Sequence, residues 1–478
     1  MKSALLALLT IPMMLVSGET GIGKVSDLKI GSKRCVDLPF DKSLCKNKSE
    51  NCAIESKREF RLFYCRKTCD ACDQEEIYTG KAGSPERDPP EVAQLRRKCQ
   101  AKPLRDDNSK TLSSAMTRLA MHLLNQTGRK NAVSSPVSVA IVLGLIYEAS
   151  GGETADELAE NVFGGNDKDA VRSLLARIRE ELNVNGEGLT AQLRSWIYTN
   201  NHQGQRKTRP EFSQVLLNCY SVQVAATSFA NAPQVARLIN GRVNDTTNGK
   251  IAKLISRRQI STGTRAIFVN AFYFSAVWGQ KFKIEDTRRP FKTSKGTVPV
   301  RMMTTSGAFP IYDGAKGTLV GIPYEENEKS MFLLVPPREG GSLSALEKSL
   351  TAEELIDMMA NAHNDKTIVV MPKFKIDSKL DVMRMMRHMG LRKLTTSADL
   401  GAMFEKDGGA KMDKMLHRAV IEADEKGTTG AAATAGVMVA LSASERLIIV
   451  DRPFLFLVRD NPTNTILFIG RVVKPLSF

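Results

Sequence analysis

Acidic charge is in short supply. Against 68 lysines and arginines stand 52 aspartates and glutamates, a formal net charge of +16. That imbalance directs attention to acidic partners such as sulfated sugars, anionic membrane surfaces or nucleic acid, without choosing among them. Long apolar runs are also missing. Beyond the N-terminus no stretch of about 18 uncharged apolar residues occurs, so no membrane span is expected in the mature chain. The signatures of common enzymes are absent: there is no Gly-x-Ser-x-Gly elbow and no His-Glu-x-x-His, and the five histidines are widely scattered. A phosphate-loop lookalike running from Gly18 through Gly23 and Lys24 ends in Val25 and overlaps a leader segment. The chain is therefore expected not to be an enzyme, and to need neither metal nor cofactor. What remains is ordinary globular composition, 42% apolar and 25% charged, which excludes a largely disordered or collagen-like chain. At 478 residues it has room for one large domain plus an accessory piece.

The first 18 residues, MKSALLALLTIPMMLVSG, place one lysine before an apolar stretch and end in small residues. This is the pattern of a secretory signal cleaved near Gly18, so the protein is expected outside the cell. Acceptor sequons at Asn47, Asn125 and Asn244 agree with that route, though each is weak alone. The final residues, KPLSF, carry no ER-retention signal.

Six of the eight cysteines crowd into residues 35–72: Cys35, Cys45, Cys52, Cys65, Cys69 and Cys72. So short a segment cannot bury enough apolar surface to hold itself, and in an exported chain disulfides are the usual remedy. Spacing alone leaves all fifteen pairings open, with zinc binding at Cys69-x-x-Cys72 the competing reading. The segment resembles the ShK-toxin-like module, on its Cys-x-Asp opening and closing Cys-x3-Cys-x2-Cys. The resemblance implies the pairs Cys35–Cys72, Cys45–Cys65 and Cys52–Cys69. Channel-blocking members plug a potassium pore with a Lys-Tyr pair, whose place is taken here by Glu59-Phe60. An anion replaces the plugging cation, so the module is read as an adhesive or targeting appendage. Residues 73–98, with Gly80, Gly83, Pro85, Pro89 and Pro90 among mixed charges, have linker composition. Cys99 and Cys219 are left over, and either pair with each other or stay free.

From about Thr111 the pattern changes. Leu112, Ala115, Met116, Leu119 and Leu123 recur at helical spacing, and residues 169–182 repeat the signal. β-rich runs appear at 265–274, 331–335, 367–371 and 466–473. Helices come first and strands later, without the alternation of a parallel sheet. The fold class is α+β. One segment stands apart. Residues 425–436, EKGTTGAAATAG, contain almost nothing but Gly, Ala and Thr after the first two positions. Written as a strand, one face carries Thr428, Gly430, Ala432, Thr434 and Gly436, and the other Thr429, Ala431, Ala433, Ala435 and Val437. No charge, proline or bulky ring interrupts either face. A flexible loop is one reading; a strand able to slide between two existing strands is the sharper one.

Residues 105–478 resemble a serpin. The motifs follow in family order: Asn131 to Val139, Asn270 to Trp278, Val300 to Met303, Pro323-Tyr324, Leu346-Glu347, Pro372 to Lys375, His417-RAVIEADEKGTT, Arg452 to Leu457 and Ile466 to Pro475. The resemblance implies three β-sheets, about nine helices and an exposed reactive loop held out of the central sheet in a metastable state. It further implies that the target is a serine protease, trapped as a covalent acyl complex when the cleaved loop inserts as a strand. In family register, Glu425 opens the hinge and the cleaved bond is Leu441–Ser442. Leucine suits the apolar pocket of chymotrypsin-like enzymes, or of elastase-like ones, and discourages trypsin-like ones. Met438, Ala440 and Arg446 are the bait residues if that register slips. The hinge covers Glu425, Gly427, Thr428, Gly430, Ala431, Ala432, Ala433 and Thr434. Ser135, Ser138, Asn270 and His417 match the shutter beneath the sheet, and Trp278, Lys373 and Glu425 match the breach at its top.

Residues 104–478 alone carry a net +11. Basic clusters sit at Arg206-Lys207-Arg209, Arg257-Arg258, Arg288-Arg289 and Arg384 to Lys393, while Arg172, Arg177 and Arg179 ride the helix at 169–182. Several serpins bind heparin-like chains through such patches, so a glycosaminoglycan is a candidate partner; a solvated basic surface is the plainer reading. Nucleic acid is not expected, since no binding motif accompanies the charge. The reading is a monomeric secreted serine-protease inhibitor, with a non-inhibitory carrier, chaperone or storage serpin as the alternative.

Overall fold

The computed structural model describes residues 106–186, 188–200, 208–404, 415–428 and 446–475. The leader, the cysteine module with its three expected disulfides, Asn47, the 73–98 linker, Cys99, Arg206, Lys207, hinge residues 429–434 and the Leu441–Ser442 bond lie outside them. Cys219 is buried and disulfide-bonded, which removes the free-thiol alternative for this residue; its partner is outside the described residues.

Helices do come first. α1 (Asp106–Asn125), β1 (Ala132–Ser134), α2 (Pro136–Ala149), α3 (Gly152–Phe163) and α4 (Lys168–Glu181) precede β2 (Asn183–Asn185) and the long β3 (Leu189–Asn200). Then come α5 (Pro210–Tyr220), β4 (Gln223–Thr227), α6 (Ala232–Thr246), β5 (Ala266–Val277), β6 (Lys283–Thr293), β7 (Gly296–Gly314), β8 (Gly317–Pro323) and β9 (Lys329–Val335). The remainder is α7 (Leu343–Ser349), α8 (Ala352–Ala360), β10 (His363–Pro372), β11 (Phe374–Asp381), α9 (Met383–His388), α10 (Arg392–Thr396), β12 (Leu416–Ala423), β13 (Gly427–Thr428), β14 (Arg446–Ile449), β15 (Phe454–Asp460) and β16 (Thr465–Val472).

The described strands form two hydrogen-bonded sheets where three were expected. β7 explains the difference. It is 19 residues long and pairs with β6 at its start, β10 through its middle and β8 at its end, so one strand fuses two sheets into one. The other sheet has the order β11-β12-β13-β5-β3-β2, with β4 added beside β3. Between the sheets lies the main core, where Phe272 stacks on Phe468 at 5.1 Å. α2 is buried along its whole length, which fits its sequence PVSVAIVLGLIYEA: a helix apolar on every side belongs in a core. α6 covers the outer face of β3 and β5 through Val235, Ala236, Ile239 and Val243 against Tyr198, Val269 and Ala271.

Asn125 ends α1 in an exposed position, and Asn244 is half-buried on α6. Among the described residues no helix is long and apolar enough to cross a membrane.

Candidate functional site

β12 delivers the chain to the top of the central sheet, and Asp424 reverses it. Its Oδ1 accepts the backbone N–H groups of Lys426 at 2.9 Å and Gly427 at 3.3 Å, an Asx-type turn. The chain then re-enters the sheet. Gly427 and Thr428 form β13, lodged between β12 and β5 and antiparallel to both, with Ala423 opposite Thr428 and Val277 and Ala276 opposite Gly427 and Thr428. Glycine is required at the point of entry. A Cβ on Gly427, whose φ is +158°, would lie 1.9 Å from the Ala276 carbonyl oxygen.

Thr428 is 1% exposed, and its hydroxyl is 2.7 Å from that of Tyr324. Tyr324 is fully enclosed, and burial raises its phenol well above the ordinary value even though Thr428 pulls the other way. Its ring stacks on Trp278 at 4.8 Å and 9°. Such aromatic pairs add about 1 kcal/mol beyond the area they bury. Trp278 in turn donates Nε1–H to the Asp424 carbonyl at 2.7 Å, and its backbone N–H donates to Lys426. The ammonium of Lys373 sits 2.5 Å from the Glu425 carboxylate. Burial pushes that carboxyl up, but Lys373 overrides it and holds the group below its usual value. The three residues assigned to the breach therefore converge on the β12–β13 turn. Tyr324, present in a quoted motif, had no assigned role; its contact with Thr428 is a tertiary one that no local pattern announces.

Lower down, the expected shutter comes together only in part. Ser135 caps α2 by accepting the Ser138 N–H at 3.3 Å, and its own backbone N–H donates to His417 Nε2 at 2.8 Å. An acceptor Nε2 requires the neutral ring, and burial holds the His417 pKa at about 4. Asn270 does not join them. Its Nδ2 donates to Ser195 Oγ on β3 at 2.8 Å, while Oδ1 is buried without a partner. Ser195 carried no signal in the sequence, which gave no strand over 189–200.

Among the described residues, β12 and β5 meet only through β13, so below Thr428 their facing edges have no described partner. This is the seam a further strand would fill. In the other sheet, Arg446 opens β14 opposite Thr367 and pairs with Asp313 at 2.6 Å.

Two of the α4 arginines, Arg172 and Arg179, make bonds within the fold. Arg172 grips the buried Glu148 with Nε at 2.7 Å and Nη2 at 2.9 Å, and Tyr220 donates to the same carboxylate at 2.7 Å. Arg179 donates to the Cys219 carbonyl at 2.7 Å. Among the described residues no cluster of histidine, cysteine or acidic side chains could hold a metal.

Comparison with known proteins gives one answer. The serpin family model, described as serine protease inhibitor, matches residues 111–475. The leukocyte elastase inhibitor of Bos taurus is 31% identical over 388 residues, covering 76% of this chain and 99% of its own. Serine protease inhibitor 42Dd of Drosophila melanogaster is 31% identical, with 72% and 92% covered. Among solved structures, Serpin48 of the insect Tenebrio molitor matches with a TM-score of 0.68 at 24% identity, over 78% of this chain and all of that one. Tengpin, a thermophilic serpin, matches with a TM-score of 0.71 at 21% identity, over 80% and 98%. At those identities the structures speak for the fold alone.

Proposed function

The chain belongs to the serpin family, and on that premise we propose that it is a secreted suicide-substrate inhibitor of chymotrypsin-like or elastase-like serine proteases, cleaved at Leu441–Ser442. The protease serine attacks the Leu441 carbonyl, expels the Ser442 amine and is left as an acyl-enzyme. Insertion of the cleaved segment between β12 and β5 then carries the protease away before water completes hydrolysis. The chain supplies no catalytic group. It supplies a bait bond and a place for the strand to go.

The observation that carries this reading is β13 itself, two residues already lodged in the seam and antiparallel to both walls. Continuing the same register, each residue added after Thr428 steps one back along both neighbours. Thr434 would then face Asn270 on β5 and His417 on β12, offering its hydroxyl to the unpartnered Asn270 Oδ1. Residues 428–437 bring no charge, proline or ring into that seam. The bovine relative is named for the inhibition of leukocyte elastase, which agrees with an apolar bait.

The cysteine module at 35–72 is proposed as a disulfide-stapled appendage for adhesion or targeting, and Asn47, Asn125 and Asn244 as glycan acceptors of an exported chain. A heparin-like polyanion is proposed as a partner for surface arginines outside α4; the protease nexin-1 structure, crystallised with heparin, supplies the analogy.

The test is to mix the purified protein with chymotrypsin-like, elastase-like and trypsin-like proteases and to run denaturing gels with mass spectrometry. Expected are denaturation-resistant complexes with the first two classes and a released peptide beginning at Ser442. Clean cleavage without any complex would favour a non-inhibitory carrier, chaperone or storage serpin.

A further inference from the structure

Between Lys283 and Arg301 the chain places six cations against two acids, on the hairpin that joins β6 to β7. Strand alternation sorts them onto two faces. One face turns inward: Phe291 and Val300 are buried, and Arg289 is engaged with Glu285 at 2.5 Å. The same carboxylate accepts the Thr304 hydroxyl at 2.6 Å. The other face is exposed throughout. Its paired positions are Arg288 with Arg301, Pro290 with Pro299 and Lys292 with Thr297, and Lys295 stands at the turn. None of these positions is acidic. Charges and prolines on an edge strand commonly serve to block edge-to-edge pairing, and β6 is such an edge. That role accounts for Pro290 and Lys292. It does not call for Arg301, which lies on the inner strand β7. Setting Arg301 directly opposite Arg288 puts two like charges on facing strands, which weakens the hairpin. A charge that works against its own fold points to a partner outside the fold.

The hairpin also borders the chain on both sides of residues 429–445. At one end the Arg301 carbonyl accepts the Lys373 N–H at 3.4 Å, and Lys373 is the cation paired with Glu425, just before β13. At the other end Lys292 donates its N–H to the Asp451 carbonyl at 2.7 Å, just past β14. A protease that holds the Leu441–Ser442 bond is therefore brought beside this face. We infer that the exposed face of the β6–β7 hairpin is a second contact for the captured protease, its cations attracting an acidic surface beside the active-site cleft. The inference rests on the inhibitory reading and adds to it a basis for choosing among proteases that accept the same bait. Charges at the rim of an interface act chiefly on the rate of encounter, and salt screens them.

The test sets full-length proteins against one enzyme in two charge forms. These are chymotrypsin as purified and chymotrypsin succinylated on its lysines, which turns ammonium groups into carboxylates. The rate of complex formation is measured per active enzyme at low and high salt. The double variant K292E/R301E reverses the face. K130E/K348E makes the same change in net charge at exposed lysines elsewhere. Against the succinylated enzyme at low salt, K292E/R301E should trap about tenfold more slowly than the unmodified chain, narrowing to about twofold at high salt. K130E/K348E should stay within about twofold throughout. The ratio of complex to cleaved protein should not change, since neither Lys292 nor Arg301 lines the seam. Equal slowing in both double variants, no slowing in either, or the same gap for both enzyme forms would overturn the contact while leaving trapping intact. Slowing of K292E/R301E only when heparin is added would give the face to a sulfated glycan and overturn the contact as well. Failure of the unmodified chain to trap chymotrypsin in either form, or an elastase-like enzyme, would instead overturn the inhibitory reading itself. If the reversed pair does not fold, the neutral pair K292Q/R301Q keeps the question answerable and should slow trapping about threefold.

Discussion

Gly427 shows how little space the entry to the seam allows. With a Cβ placed 1.9 Å from the Ala276 oxygen and 2.7 Å from Val277 Cα, Gly427→Ala must push β13 out or part the strands. Overpacking of this kind costs about 1–3 kcal/mol. The variant should melt at lower temperature, and the Thr428 amide should lose its exchange protection. An unchanged melting temperature with Thr428 still protected would show that β13 tolerates the extra methyl. His417 makes a different prediction. Its native pKa of about 4 lies below the 6.5 of an unperturbed histidine, so the unfolded chain binds the extra proton first as pH drops. Stability from this residue is present above about pH 6.5 and is lost as pH falls toward 4, by about 3 kcal/mol in all. His417→Gln keeps an acceptor for the Ser135 N–H but cannot titrate. Its unfolding free energy should change less between pH 7 and 4.5 than that of the unmodified chain; identical slopes would remove His417 as the cause.

At the scale of elements, the sequence carried the type and order of the long segments and missed what tertiary pairing decides. The apolar period from Thr111 and the run at 466–473 became α1 and β16 with ends shifted by a few residues. β7 could not be foreseen as one strand of two sheets, because its length depends on which partners meet it along the way. Asn270 and His417 share a family motif set, yet a motif cannot say which neighbour a side-chain amide turns to, and Asn270 turns to Ser195. Arg172 is more instructive. The sequence placed it only on a basic helix, while Glu148 is the lone acidic residue of the buried α2. A buried carboxylate demands a cation, and that single letter was the available signal for the Arg172–Tyr220 network. The small residues after Glu425 raised the expectation of sheet entry; Gly427 and Thr428 lie in the sheet, with Thr428 held against Tyr324, and the positions from 429 to 434 fall outside the described residues.

For the whole molecule, the proposed mechanism requires a chain short of its most stable arrangement: among the described residues the facing edges of β5 and β12 have no partner below Thr428, and a segment of fitting composition lies next in sequence. On the proposed mechanism, the pairings already made at Ala276, Val277 and Ala423 would be the first rungs of a longer ladder. Each further backbone hydrogen bond adds about 1 kcal/mol net, and a fresh strand of about eight residues adds one such bond at most positions on both sides. The most direct measurement is the thermal unfolding midpoint of the purified protein before and after a single cleavage between Leu441 and Ser442, with amide exchange read on β5 and β12 in both forms. The account predicts a rise of at least about 10 °C on cleavage, with new protection at Asn270 to Ser275 and at His417 to Glu422. A cleaved protein that melts at the same temperature or lower, with those amides no better protected, would contradict it.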